Sequence, residues 1–241
     1  ELIIIRRRGK RSFLANLLVG EMVSKVVAHA PCHVLIVPQD GRMWNQRVLV
    51  AAEPMPQGRQ IIATAVAVAA QCGLPLHLVS VVPAEGLRPQ ADAFINEMTN
   101  KARLGGVTAQ GEVRTGKSFT EILNSATTCQ ADLIVVGTHS TDKRKESASS
   151  MVRIIQEVRI PVIVVPENCD YRDLNRIKHV GYATDFDESD FFSMKKLIDL
   201  VSSIQPTISC VHVGQQPITE EEKARMDGLK EYFHKIYPSY T

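Results

Sequence analysis

A short apolar run in the middle of the chain, Leu133-Ile134-Val135-Val136, limits the fold more than any other stretch of the sequence. Consecutive apolar residues, rich in Val and Ile, are typical of a strand that is buried on both faces, as the central strands of parallel sheets are. Gly137 ends the run, and a polar segment at 140–150 follows it. In an open α/β sheet, ligands bind in the crevice at the carboxyl ends of such strands. A functional site is therefore expected just after this run.

Similar apolar runs alternate with helical patterns along most of the chain, which argues for βαβ units and a parallel sheet. Strands are predicted at 2–5, 34–37, 47–52, 76–82, 107–114, 133–136, 161–166, 179–184 and 207–213. Helices are predicted at about 22–30, at 60–71, 90–104, from 118, at 149–158, 191–204 and from 219. Two of these helix starts carry a capping box, Ser118–Glu121 and Thr219–Glu222, which predicts reciprocal side-chain bonds in the first turn.

Composition excludes several classes of function. The formal net charge of +2 is close to neutral and indicates neither nucleic-acid nor membrane-surface binding. No apolar run approaches the ~20 residues of a membrane span. The five scattered cysteines form no metal-binding spacing and no disulfide framework, so reduced thiols in the cytoplasm are expected. Cys129 and Cys210 are predicted to be small buried residues.

The sequence repeats with a period of about 130 residues. The segment from Arg47 aligns without a gap with the segment from His179, at a shift of 132 residues. Residues 1–5 align with 132–136, and residues 34–38 align with 162–166. The chain is therefore predicted to contain the C-terminal half of one unit at 1–40, a complete unit at 46–166, and the N-terminal half of a third at 176–241. Because it begins directly before a predicted strand, we expect it to be a fragment.

Several of these motifs resemble the universal stress protein family, in its tandem-domain type. Gly116 leads into Glu121-Ile122-Leu123, the run 131–139 follows, and Pro161–Pro166 forms the last strand. The first segment shows the same pattern, from Gly9 through Gly20 to the strand that ends at Pro38. The resemblance implies a Rossmann-like, doubly wound parallel sheet of five strands in the order 3-2-1-4-5, repeated in tandem. It also implies tandem or dimeric packing of domains.

The same resemblance implies a nucleotide site. Members that bind nucleotides carry a glycine-rich loop with a final Ser or Thr after the fourth strand, and an Asp at the end of the first strand. Glycines let the backbone approach phosphates, and the following helix offers free N–H groups. The matching residues here imply binding of ATP or another adenine nucleotide, with Mg²⁺ allowed beside it: Gly9, Gly20, Glu53, Gly137, Thr138, His139, Ser149, Thr184 and Asp185.

Each copy departs from that pattern. Arg6 stands in place of the first glycine, and Glu21 in place of the Ser or Thr. In the complete unit, Ser140 and Ala148 replace glycines, and Glu53 replaces the Asp. A Cβ atom where a phosphate must touch the backbone is a steric obstacle. The complete unit is therefore predicted to bind an adenine nucleotide weakly or not at all.

The incomplete halves carry complementary parts of one site. Asp185 belongs to the third segment, whereas Gly9 and Gly20 belong to the first. Together the two segments supply strands 1, 2, 4 and 5 of a unit and lack only edge strand 3. They are predicted either to close into a second lobe or to be pieces of an arbitrary excerpt.

The function expected from these observations is a regulatory module of the stress response that is not an enzyme, with no catalytic residue and no metal site of its own. It would act by self-association or tandem-domain pairing through the edges of its last strands, Val34–Val37 and Val162–Val165, because unpaired edges invite pairing. One alternative is a slow ATP-hydrolysing enzyme, since Gly111–Ser118 matches the P-loop pattern. Another is a cytosolic appendage of a transporter or kinase.

Overall fold

The computed structural model describes residues 1–7, 23–38, 44–138, 151, 153–167, 177–184, 194–195, 197–198, 201, 204–212 and 219–236. Its strands are β1 (Leu2–Arg7), β2 (His33–Pro38), β3 (Val48–Ala51), β4 (Leu76–Val82), β5 (Ala109–Thr115), β6 (Leu133–Gly137), β7 (Val162–Val165), β8 (His179–Ala183) and β9 (Thr207–Val211). Its helices are α1 (23–29), α2 (Pro56–Cys72), α3 (Arg88–Leu104), α4 (Ser118–Thr128), α5 (described at 151 and 153–157), α6 (described at 194, 195, 197, 198 and 201) and α7 (Glu220–Ile236).

These strands form one sheet in the order β5-β4-β3-β6-β7-β2-β1-β8-β9. All neighbouring pairs run parallel except β2 and β7. Over the part of the chain predicted to be a complete unit, the order β5-β4-β3-β6-β7 is the expected order 3-2-1-4-5. The predicted α/β fold with a mostly parallel open sheet is therefore confirmed.

Both faces of the central strands are buried. Val48, Leu49 and Val50 are fully buried, as are Leu133 and Ile134 in β6. Because successive side chains of a strand point to opposite faces, Val48 and Val50 belong to the core cluster that includes residues of α2, α3 and α6. Leu49 belongs to the cluster on the other face, which includes residues of α1, α4 and α5. The apolar runs of the sequence therefore reflect helices on both sides of the sheet.

The last strands, β2 and β7, pair with each other. They run antiparallel, with Val34 opposite Val164 and Ile36 opposite Val162. Each also has a parallel neighbour on its other side, β1 for β2 and β6 for β7. The last-strand edges that were expected to invite pairing, Val34–Val37 and Val162–Val165, thus pair with each other within this chain, while a role of this pairing in function stays a prediction.

Strand register on the two sides of this antiparallel pair follows the sequence repeat. In β3, Val48 lies opposite Leu76 of β4 and Leu133 of β6. In β8, Val180 lies opposite Ile208 of β9 and Leu2 of β1. These positions are the ones that the repeat aligns with each other. Strands from the first and third segments thus lie side by side, while the division of the chain into units stays a prediction.

The two capping boxes behave differently. At α7 the N–H of Thr219 donates to the Glu222 carboxylate at 2.8 Å, and the N–H of Glu222 donates to Thr219 Oγ1 at 3.2 Å. These bonds confirm the box. The backbone N–H and the hydroxyl of Thr219 both donate to the Glu222 carboxylate and hold the pKa of Glu222 below its usual value. At α4 the predicted capping box does not form. Lys117 is the N-cap residue, and no side chain makes a capping hydrogen bond at this helix start. Glu121 instead lies 3.5 Å from the Arg114 guanidinium.

Two further expectations are corrected. Helix α2 begins at Pro56 rather than Gln60, because a proline in the first turn has no N–H to leave unsatisfied and its φ suits a helix. Cys129 is buried as predicted, but Cys210 is exposed on β9, so its predicted burial is wrong.

Asp132 fastens the start of β3 to the start of β6. One carboxylate oxygen accepts the N–H groups of Asn45 and Gln46 at 2.6 and 2.9 Å, and the other accepts the N–H of Arg47 at 2.9 Å. The N–H of Asp132 also donates to the carbonyl of Arg47 at 3.1 Å. The segment that enters the central strand is thus held by a single half-buried side chain.

We expect Asp132→Ala to lower the free energy of unfolding by about 2–3 kcal/mol, because bonds to a charged acceptor are lost and three N–H groups lose their partner. Chemical denaturation measures the change. Asp92→Ala is the matched control, since the Asp92 carboxylate makes a partly exposed ion pair with Arg88 at 3.6 Å and its loss costs about 0.5 kcal/mol or less. Equal effects of the two substitutions would contradict this role for Asp132.

His33 is a titratable group in the core between β2 and α2. Its side chain is 1% exposed, and its Nε2 lies 3.2 Å from Thr64 Oγ1. Burial lowers the pKa of His33 to about 4. In the unfolded chain the same group binds a proton near pH 6.5, so the unfolded state gains protons first as the pH falls.

As the pH falls from 6.5 to 4, protonation of His33 in the unfolded chain should therefore lower the free energy of unfolding by about 3 kcal/mol. Above pH 7, His33 should make no contribution to the pH dependence of stability. Denaturation curves over that range measure the slope. His33→Gln should flatten it, whereas His29→Gln, at an exposed position of α1, should leave it unchanged. An unaltered slope in His33→Gln would refute the assignment.

Candidate functional site

An open cleft lies at the carboxyl ends of β3, β4 and β6, between α4 and α5. Apolar side chains of the three strands form much of its lining, and Ile122 and Ile154 extend that lining onto the two helices. Glu53 and Ser118 contribute polar side chains. We call this space the β3–β6 cleft. Its lining suits a flat apolar group with a few polar contacts at the rim.

The β3–β6 cleft lies where the chain changes direction within the sheet. From β3 the chain proceeds to β4 and β5 on one side, whereas β6 leads to β7 on the other. The loops after β3 and β6 therefore diverge and leave a crevice between them. Of the residues predicted for the site, the structure places Glu53 after β3 and Gly137 at the end of β6, both in the lining of this cleft.

The position of Glu53 depends on a close contact with α2. A Cβ atom at Gly58 would lie 2.0 Å from the carbonyl oxygen of Glu53 and 3.3 Å from the Phe94 ring. The carbonyl of Glu53 also accepts the N–H of Met55 at 2.8 Å. Only glycine fits at position 58, and sequence reasoning missed it. The available signal was a glycine within the first turn after Pro56, where helix propensity disfavours it.

Gly137 has a packing role that its sequence context did not indicate. A Cβ atom there would lie 2.2 Å from Cδ1 and 3.0 Å from Cγ1 of Ile61, which belongs to α2. The missing side chain thus lets α2 approach β6 closely. This contact explains the glycine without any phosphate.

Thr138 ties the end of β6 to two neighbouring elements. Its carbonyl accepts the side-chain N–H of Gln57 at 2.8 Å, and its Oγ1 accepts the N–H of Glu167 at 3.0 Å. Its own N–H donates to the carbonyl of Val165 at 2.9 Å. These bonds fix the direction in which the chain leaves β6 beside the cleft.

The first turn of α4 forms another wall of the cleft. Ser118, the first residue of this helix, lines the cleft beside Ile122. Gly116 makes the turn from β5 with φ of 150°, a backbone conformation that favours glycine, and its N–H donates to the carbonyl of Val82 at 2.9 Å. The N-terminal end of a helix favours negative charge. Sequence reasoning connected Ser118 with a capping box and a P-loop, not with this cleft.

The P-loop-like segment does not form a P-loop. Gly111–Thr115 belongs to the edge strand β5 and pairs along its length with β4. A Cβ atom at Gly111 would lie 2.5 Å from both Ile95 Cγ2 and Thr99 Oγ1 of α3. A P-loop must connect a strand to a helix, whereas these residues form the strand itself. The alternative based on Gly111–Ser118 therefore has no geometric support.

A polar cluster around Glu112 lies on β4, β5 and α4. Its carboxylate lies 3.1 Å from His77 Nε2, accepts the Ser125 hydroxyl at 2.6 Å, and lies 2.9 Å from Arg114 Nε. Burial by itself raises the pKa of Glu112, but Arg114, Ser125 and His77 outweigh it and hold that pKa below its usual value. Because the carboxylate lies between histidine and serine, His77 is not placed to activate the hydroxyl as a catalytic triad requires.

The remaining predicted residues belong to the other side of the sheet or lie outside the described part. Thr184 is buried directly after β8, beside the carboxyl end of β1. Its N–H donates to the carbonyl of Val211 at 3.0 Å, and its carbonyl accepts the Nδ1–H of His212 at 2.9 Å. The predicted site residues outside the described residues are Gly9, Gly20, His139, Ser149 and Asp185.

The described residues contain neither a metal-binding cluster nor a membrane-spanning helix. No group of three His, Cys, Asp or Glu side chains there could hold a metal ion. Within the same ranges, every helix is too short or too polar to cross a membrane.

Comparison with known proteins identifies the family. The family model described as "Universal stress protein family" matches residues 45–166, about half of the chain. This protein therefore belongs to the universal stress protein family. No curated protein matches the sequence significantly.

Two solved structures with TM-scores above 0.5 show the same fold. A universal stress protein from Archaeoglobus fulgidus DSM 4304 is 20% identical with a TM-score of 0.54, over 68% of this chain and 60% of that one. One from Pseudomonas aeruginosa UCBPP-PA14 is 19% identical with a TM-score of 0.52, over 69% and 63%. Another from Archaeoglobus fulgidus, solved in complex with dAMP, is 18% identical with a TM-score of 0.43, over 51% and 99%. The chain spans less than two thirds of the first two proteins.

We expect Gly58→Ala to displace the loop that carries Glu53, because the contact at 2.0 Å is with backbone and no side-chain rotation relieves it. The free energy of unfolding should fall by about 2 kcal/mol. Thermal or chemical denaturation measures it. Gly86→Ala is the matched control, since a Cβ atom there meets nothing within 4 Å. A Gly58→Ala variant as stable as Gly86→Ala would show that the loop tolerates a side chain.

Proposed function

We propose that this protein is a regulatory module of the stress response that binds an adenine nucleotide in the β3–β6 cleft and catalyses no reaction. The observation that carries the proposal is the pairing of an apolar cleft with the Glu53 carboxylate at the point where the sheet changes direction. Membership of the universal stress protein family supports it.

The lining suggests how the ligand is held. The purine ring lies against the apolar side chains of β4 and β6, since a flat aromatic group gains most from burial there. Glu53 accepts hydrogen bonds from ribose hydroxyls. The phosphates extend toward the first turn of α4, where helix N–H groups favour negative charge.

Binding is weak in this proposal, because Ser140 and Ala148 stand where nucleotide-binding relatives carry glycine. A Cβ atom in place of a glycine is a steric obstacle to a phosphate that must touch the backbone. Where a triphosphate binds, Mg²⁺ accompanies its phosphate oxygens rather than a set of protein ligands. A cytoplasmic location belongs to the same proposal.

The absence of catalysis is proposed from the polar side chains of the cleft. Among the described residues that line the cleft, Glu53 and Ser118 have polar side chains. That lining contains no histidine or lysine that could activate a nucleophile or bind a transferred phosphoryl group. The module instead acts through domain pairing, in which the antiparallel β2–β7 contact transmits the state of one side of the sheet to the other.

Isothermal titration with adenosine, AMP and ATP tests the proposal. We expect dissociation constants in the range of about 10 μM to 1 mM, and a weakening of about tenfold in Glu53→Gln, which loses a charged hydrogen-bond acceptor. Glu85→Gln, at an exposed position before α3, is the matched control and should bind as the unaltered protein does.

Two results would contradict the proposal. The first is no heat of binding for any adenine ligand at millimolar concentration. The second is binding that Glu53→Gln leaves unchanged, which would place the ligand elsewhere. Release of phosphate from bound ATP would overturn the statement that the module is not an enzyme.

A further inference from the structure

An arginine lies where α5 packs against the first turn of α4. The guanidinium carbon of Arg153, on α5, lies 3.9 Å from the centre of the ring of Phe119, the second residue of α4. The chain neighbours of this contact line the β3–β6 cleft, since Ser118 precedes Phe119 and Ile154 follows Arg153. The Arg153 guanidinium thus lies beside the wall that the two helices form.

Two contacts hold this guanidinium in place. The Phe119 ring is 8% exposed and therefore part of the core, so it is a fixed surface for the cation, which the face of an aromatic ring attracts. Glu157, one turn further along α5, has its carboxylate 3.2 Å from Arg153 Nε. A planar guanidinium that is already oriented loses less entropy when it forms further hydrogen bonds.

These contacts leave part of the guanidinium unused. Within the part of the chain that the structure describes, the hydrogen bond of Arg153 is to Glu157 and is made through Nε, so the two Nη groups keep their N–H donors for another partner. About half of the side chain, 53%, is exposed, and a ligand in the cleft can approach it. Paired guanidinium N–H groups match two oxygens of a phosphate.

The ion pair with Glu157 does not account for this residue. A pair between two half-exposed side chains one turn apart contributes little to stability, and a lysine would form it as well. The stack on Phe119 and the unused Nη donors are specific to arginine.

Charge at the rim of the cleft differs between its two sides. Glu53 provides a carboxylate after β3. On the side of α4 and α5, Lys117 is exposed directly before α4 and adds its charge to that of Arg153. The carboxylate of Glu121 in the first turn of α4 lies 3.5 Å from the Arg114 guanidinium and is already matched. One side therefore accepts hydrogen bonds, and the other favours an anion.

We propose that Arg153 is the phosphate-binding residue of the β3–β6 cleft and that the cleft therefore selects nucleoside phosphates over nucleosides. This inference rests on the proposed function, in which the ribose lies beside Glu53. The two Nη groups donate to two phosphate oxygens while Phe119 and Glu157 keep the guanidinium in place. A side-chain cation thus supplies phosphate contacts in a chain where Ser140 and Ala148 replace glycines.

Isothermal titration with adenosine and with AMP tests the proposal. We expect the unaltered protein to bind AMP about tenfold more tightly than adenosine, and Arg153→Gln to remove most of this preference because the charged donors are lost. Adenosine should bind to Arg153→Gln as it does to the unaltered protein, which shows that the variant keeps its cleft. Arg153→Lys, which retains the charge without the paired donors, should keep part of the preference.

Arg159→Gln is the matched control, because it removes the same charge from the same segment. Arg159 is exposed between α5 and the amino end of β7, whereas the cleft lies at the carboxyl ends of the strands. The preference for AMP should survive in this variant. If Arg159→Gln reduces it as much as Arg153→Gln does, the effect is one of overall charge and the proposal is overturned.

The remaining outcomes separate this inference from the proposed function. AMP that binds no more tightly than adenosine, or a preference that survives in Arg153→Gln, overturns the role of Arg153 and leaves adenine binding intact. No binding of either ligand overturns both proposals.

A spectroscopic measurement removes the dependence on variant folding. The Nε–H signal of Arg153 in the nuclear magnetic resonance spectrum, assigned by its loss in Arg153→Gln, should shift when AMP is added to the unaltered protein and stay in place with adenosine. A signal that saturating AMP leaves unmoved overturns the contact.

Discussion

The rest of the structure depends on the parallel pairing of β3 with β6, two strands that are buried on both faces. Val48, Leu49 and Val50 lie beside Leu133, Ile134 and Val135, and none of these side chains reaches solvent. Burial on both faces requires a layer of helices on each side of the sheet. β3 and β6 themselves contain no polar side chain, and the divergence of the chain after them leaves a crevice at their carboxyl ends.

Much of this architecture could be predicted from the sequence, because buried strand positions carry apolar residues. β4 was predicted at 76–82 and is observed there, and the repeat of about 130 residues reappears as equal strand register on the two sides of the β2–β7 pair. A period of apolar residues encodes which faces are buried. It indicated that the last strands offer edges for pairing, but it does not encode that β2 and β7 meet each other or that they run antiparallel.

The site was predicted less completely, because its geometry depends on contacts between residues that are distant in sequence or on missing atoms. Gly58 matters because of a carbonyl oxygen that its absent Cβ would touch, and Gly137 because of the Ile61 side chain that its absent Cβ would touch. No local sequence pattern predicts either contact. Ser118 was noticed for local motifs that the structure does not form, and its place in the cleft follows only from the sheet order.

The central claim is that adenine ligands bind at the carboxyl ends of β3 and β6, and amide chemical-shift mapping during titration with AMP tests it most directly. The account predicts that the largest changes fall on Ala51–Glu53, Val81, Ser118 and Gly137, and that amides of α3 and of the amino ends of the same strands stay unchanged. Changes confined to other surfaces, or none at saturating ligand, would contradict it.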